Sequence, residues 1–238
     1  MVSKGIEQKN KFLDRVSNFE LKFIMIYKNT FTFNDIANII TSTLGKFKIR
    51  EIELPTFRLG INVNQQNFMN IGSFNDFFVD IGNLGYSNGT TSGIISIHKN
   101  IKSYDDKIID DGIETLDYFM NYLKLNINDI KNEFNIIFKI NGRKLKNQLS
   151  IKLKTINKPS NPILRFYEGD INSNDLRTIT PWVDISIQEN ILNSGEINVN
   201  YINRSKGSIE KTHVNNAIDD VFNLLEYYTE EGDKSDAI

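Results

Sequence analysis

Alternation of apolar and polar positions runs through most of this chain. In residues 19–27, Phe19, Leu21, Phe23, Met25 and Tyr27 fall on one face, and Ile24 and Ile26 bring apolar weight to the other. That period of two predicts a strand buried on both sides. Thr32 or Asn34 can cap a helix reaching Leu44, with Ile36, Ile39, Ile40 and Leu44 on one side and Gly45 to end it. Residues 47–54 alternate again and stop at Pro55, and further strands are expected at 57–63, 68–71, 77–81 and 94–98. Gly82, Gly85, Gly89 and Gly93 between the last two read as a long hairpin loop.

From Asp110 the period lengthens to 3.6. Ile113, Leu116, Met120 and Leu123 form a stripe with Phe119 beside it, predicting a helix over 110–125, and a short second helix is expected at 128–133. Residues 134–140 read as a strand closed by Asn141-Gly142, a two-residue hairpin signal, with 149–156 returning from it. Strands follow at 163–167, 183–187 and 197–202. An amphipathic helix starting near Ser208 then turns Ile209, Val214, Ala217, Val221, Leu224, Leu225 and Tyr228 inward. The whole is an α+β chain, β-rich, with a mainly antiparallel sheet and about three helices including the C-terminal one. Residues 1–230 are read as one domain, with 100–110 as the place where two lobes would meet, and 231–238 as a flexible acidic tail.

Composition sharpens this picture in two places. The chain of 238 residues holds 36 Ile and 32 Asn, about 15% and 13%, with alanine only at positions 37, 217 and 237. Such a bias points to an AT-rich coding genome, and it favours sheet because β-branched residues abound where the best helix former is scarce. There is no cysteine, so disulfides, thiolate metal sites and cysteine nucleophiles are excluded. The only histidines, His98 and His213, lie 115 positions apart. The longest apolar stretch, Phe23 to Tyr27, is five residues against the ~20 needed to span a bilayer, and the charged N-terminus lacks a signal-peptide core. The expected location is the cytoplasm, or a particle assembled there, with no membrane contact.

Candidate chemistry is thin. The glycine segment lacks both the GxGxxG and the GK[ST] spacing that would cradle a phosphate. Asp110, Glu114 and Asp117 share a helix face that could offer carboxylates to magnesium, but acids early in a helix also suit its dipole with no ion. His213 lies one turn from Asn216 and two from Asp220, and neither it nor His98 has a nucleophile at catalytic spacing. No catalytic residue, cofactor site or metal site is assigned, and the chain is read as a non-enzyme.

Charge distribution says more. Residues 134–167 contain no acid and eight bases: Lys139, Arg143, Lys144, Lys146, Lys152, Lys154, Lys158 and Arg165. Residues 103–133 carry a net −5 and residues 210–238 a net −6, so a chain of overall charge −2 is strongly bipolar. These eight are the candidate partner-binding residues. They either meet the chain's own acidic helices or a second copy, or an acidic protein face, or nucleic acid. Aromatic residues that would stack bases are scarce between Lys139 and Lys158, which disfavours single-strand readout.

The stretches Trp182-Val183-Asp184-Ile185-Ser186-Ile187 and His213-Val214-Asn215-Asn216-Ala217-Ile218-Asp219-Asp220-Val221-Phe222 resemble the C-terminal third of a sporadically distributed family of uncharacterised prokaryotic proteins. The helix expected at 110–125 followed by residues 134–141 is similar to that family's middle part. The resemblance implies a fold and a mobile-element setting, and no catalytic residue. With the bipolar charge, it leads to the expectation of an interaction or structural subunit of a larger assembly of phage or mobile-element origin, with a protein partner or self-association. The competing expectation is a nucleic-acid-binding component of a prokaryotic defence system that uses the basic 139–165 segment.

Overall fold

A computed structural model describes residues 13–27, 32, 34, 38, 67–87, 90–122, 130–146, 163–169, 182–190, 195–206 and 208–232. Its centre is β1 (Val16–Tyr27), whose alternation buries Phe19, Leu21, Phe23 and Met25 on one face. Ile24 and Ile26 are buried on the other face, where they meet Ile94 in a small second cluster. A strand apolar on both sides belongs inside a sheet, and β1 is hydrogen-bonded on both edges, to β4 (Thr90–Ile101) and to β5 (Ile130–Asn141).

The remaining strands extend the sheet outward. On one side lie β3 (Phe77–Ser87) and β2 (Asn67–Phe74). On the other lie β9 (Glu196–Lys206), β8 (Trp182–Glu189) and β7 (Ile163–Gly169). Among the described residues this gives eight strands in the order β2-β3-β4-β1-β5-β9-β8-β7, every neighbouring pair antiparallel. Helix α1 (Lys107–Tyr122) and helix α2 (Lys211–Tyr228) both cover the face carrying Phe23, Phe77 and Phe138. The α+β class and the antiparallel sheet are as expected.

That strand order holds a repeat. The first half contributes β2-β3-β4-β1 read from its edge, and the second contributes β7-β8-β9-β5 read from the other edge. Counting the described strands of the large sheet, each half shows its second, third, fourth and first strands in that order, and a helix follows the last of them. The third strands carry matching tetrapeptides, Phe78-Val79-Asp80-Ile81 and Trp182-Val183-Asp184-Ile185, 104 positions apart. A short two-stranded sheet of β6 (Arg143–Leu145) and β10 (Thr229–Glu231) lies outside this plan. Because β1 pairs with both β4 and β5, the two halves share one sheet across the 100–110 region.

Several expectations are corrected. Two complete helices, against about three expected, are found among the described residues; within the helix expected over 34–44 only Asn34 and Asn38 are described, and both are helical. The short helix expected at 128–133 gives way to β5, which starts at Ile130. Ile130, Asn132, Phe134, Ile136, Phe138 and Ile140 are all buried on one face, a period of two that overrides the locally helical composition. Asn141-Gly142 does not close a β5–β6 hairpin. Both edges of β5 are already taken, by β1 and β9, so the chain turns away at Gly142 (φ +72°) and β6 pairs instead with β10. The glycine stretch is largely strand: Gly82 pairs with Ile94 and Gly93 with Tyr27, and Ser87 opposes Thr90. The residues expected as strands at 47–54, 57–63 and 149–156 lie outside the described set.

Helix boundaries also moved. Helix α1 starts three residues before Asp110, and its buried stripe is Ile108, Ile109, Gly112, Thr115, Leu116 and Phe119, with Ile113 and Met120 only half-buried. In α2 the buried set is Val214, Ala217, Ile218, Val221, Phe222 and Leu225, so Leu224 sits at the edge of the stripe.

Candidate partner-binding surface

The predicted basic set splits into three stations. Lys139 lies on the sheet face opposite the helices and meets Glu196 of β9 at 3.1 Å. Arg165, three strands away on β7 and therefore about 14 Å off at the usual strand spacing, makes a bidentate pair with Asp184 at 2.8 and 2.7 Å. That planar two-bond contact is the strongest form of charged hydrogen bond, and it holds the Arg165 guanidinium above its ordinary pKa.

Arg143, Lys144 and Lys146 form the third station around β6. The Arg143 guanidinium is buried and uses all three nitrogens: Nε donates to Thr229 Oγ1 at 2.9 Å, Nη2 to the Thr229 carbonyl at 2.9 Å, and Nη1 to Glu231 Oε1 at 3.1 Å. Lys144 faces Glu230 across the ladder, 3.8 Å away. Lys146 Nζ donates to the carbonyls of Tyr227 at 2.6 Å and Glu226 at 3.4 Å, where the dipole of α2 leaves partial negative charge. From the turn just before β1, Arg15 reaches the other Glu231 oxygen at 2.7 Å. Arg15 and Arg143 together hold the Glu231 carboxyl below its ordinary pKa, the hydrogen bond from Arg15 being the largest cause.

Backbone contacts fix this corner. Gly142 N–H donates to the Gly195 carbonyl at 2.6 Å, and Gly232 N–H to the Gly142 carbonyl at 3.0 Å. Gly142 and Gly195 (φ +72° and +82°) adopt the left-handed turn that glycine alone takes without strain. Residues Glu231 and Gly232, assigned from sequence to the tail, are thus held in place. Lys152, Lys154 and Lys158 lie outside the described residues.

Arg15, Thr229 and Glu231 escaped the sequence reading, because only the fold brings positions 15, 143 and 231 together. So did the buried pair of Arg204 on β9 and Glu133 on β5, which face each other across adjacent strands.

The other candidates separate. On α1, Asp110 is ion-paired to Lys211 of α2, and Glu114 accepts from Asn75 Nδ2 at 3.3 Å. Burial pushes Asp117 up. Among the described residues no three His, Asp or Glu side chains are grouped to hold a metal ion. His98 Nδ1 lies 3.5 Å from Asp80 and its ring stacks on Phe78. His213 Nδ1 accepts the backbone N–H of Glu210 at 3.3 Å, so this imidazole closes the first turn of α2.

No protein-family model matches the chain, and neither a curated protein nor a solved structure does.

Proposed function

We propose that this chain is a non-enzymatic interaction or structural subunit of a larger assembly, of phage or mobile-element origin, working in the cytoplasm or in a particle built there. One observation carries the reading. All five described cations of the basic segment, Lys139, Arg143, Lys144, Lys146 and Arg165, engage carboxylates or helix-end carbonyls of the same chain. A surface that binds phosphates needs cations it can release to them. The partners these cations have taken are protein carboxylates and carbonyls, which supports a role in cohesion of the chain and in contacts with protein groups of the same kind. The mobile-element setting follows from the resemblance of the C-terminal third. No helix among the described residues is long and apolar enough to cross a membrane.

The test is titration with random duplex DNA, single-stranded DNA and RNA at two salt concentrations, with Lys144→Glu/Lys152→Glu as the charge-reversed control. Phosphate binding through several lysines falls steeply as salt rises. The reading predicts weak binding at low salt and none at about 0.15 M salt. Micromolar or tighter binding at that salt, abolished by the reversal, would establish the nucleic-acid role instead.

A further inference from the structure

We propose that the β6 strand is a docking site for an extended acidic peptide of a protein partner, occupied in the free chain by its own residues 229–232. The proposal rests on the interaction-subunit reading and names the chemistry of the partner.

The β6 site reads an entire strand. Arg143 contacts the hydroxyl and carbonyl of one residue and the carboxylate two positions on, Thr229 and Glu231. Lys144 faces the acid between them, Glu230. Main-chain bonds continue the ladder past both ends: Lys146 N–H donates to the Tyr228 carbonyl at 2.9 Å, and Gly232 N–H to the Gly142 carbonyl at 3.0 Å. Arg15 adds a second guanidinium to the same carboxylate. The pattern selected is hydroxyl, acid, acid, small residue. Strand addition works this way, main-chain rungs supplying affinity and side-chain slots supplying specificity.

A phosphodiester fits these groups worse. Its oxygens could satisfy the guanidinium ions, but it has no N–H to offer the Gly142 carbonyl, which Gly232 N–H now fills. The occupant is therefore peptide.

The own strand is placed to exchange. Each strand of this small sheet is three residues long, and the sheet is separate from the eight-stranded one. The Glu230 and Glu231 side chains are 50% and 60% exposed, and an incoming strand reaches Lys144 and Arg15 first; Arg143, 5% exposed, is uncovered as the own strand leaves. Replacing residues 229–232 leaves every rung of the large sheet intact.

The experiment uses the full chain and a fluorescent peptide copying residues 226–238. In the variant Glu230→Ala/Glu231→Ala, the own strand loses its carboxylates and competes less. The peptide should bind this variant about tenfold more tightly than the wild type. Adding Arg143→Ala, or changing both peptide glutamates to glutamine, should cost at least about tenfold. Equal affinity for wild type and variant, equal binding of the glutamine peptide, or tighter binding of a labelled random duplex would overturn the proposal. If circular dichroism shows the variant unfolded, the wild type serves. Excess peptide should then speed hydrogen exchange at the Gly232 amide, and an unchanged rate at millimolar peptide would overturn the proposal. A stable protein assembly whose formation ignores the peptide would discard this site and keep the subunit reading.

Discussion

At the scale of single residues, Gly112 shows how the fold reverses a local preference. A glycine inside a helix normally costs about 1 kcal/mol relative to alanine. Here a Cβ at position 112 would lie 2.6 Å from Phe23 Cε2 and 3.0 Å from Phe77 Cζ, so α1 touches the sheet through the missing side chain. Both rings are fully buried and have little room to retreat. Gly112→Ala is therefore expected to destabilise by about 1–3 kcal/mol, as overpacking does, where propensity alone predicts a gain. Urea unfolding decides the sign. The edge of α2 offers a paired comparison. Leu225 is fully buried and Leu224 only partly, so Leu225→Ala should cost about 2–5 kcal/mol and Leu224→Ala clearly less. Equal losses would mean that the helix is rotated. The inward stripe of α2 was legible at Val214, Ala217, Val221 and Leu225. Position 224 was not, since residues 224 and 225 flank one direction on the helix and only the packing on the sheet chooses between them.

At the scale of elements, the β6–β10 corner depends on pH through Glu231. Its carboxyl is held below the ordinary value, so the folded state favours the charged form. The stabilisation is then fully present above the ordinary glutamate pKa and is lost as pH falls through the lowered one. Burial raises Asp117 and Asp220, which work with the opposite sign: their cost at neutral pH is relieved as pH falls through the raised values. Glu231→Gln removes one contribution only. Its unfolding free energy should lie below wild type at pH 7 and converge on it in acid. A constant difference across that range would show that Arg15 and Arg143 gain nothing from the charge. Sequence reading recognises elements whose pattern is self-contained, such as β1, β8, β9 and the two helices. It fails at 130–133, expected as part of a helix, and at Asn141-Gly142, because partners distant in sequence decide both. β1 and β9 claim the two edges of β5, and β10 claims β6.

For the molecule as a whole, the repeated strand order is the feature least visible in the sequence. A short signature of it is aromatic-Val-Asp-Ile at 78–81 and 182–185, and the period of 104 residues is far longer than the repeats that announce themselves. The two aspartates have taken different partners: Asp80 faces His98 from the strand after its own, and Asp184 binds Arg165 from the strand before. Bipolar charge, by contrast, was legible from counting alone. The fold supplied the pairing: Glu196, Glu230 and Glu231 come to the basic segment from later positions in the chain. The claim that this pairing belongs to a protein-binding subunit is tested most directly by native mass measurement of the protein purified from its own host. The account predicts a mass above the 27.4 kDa of one chain, in a fixed ratio with a protein partner or with further copies, and free of nucleic acid. A lone 27.4 kDa species, or a complex whose added mass is nuclease-sensitive, would contradict it.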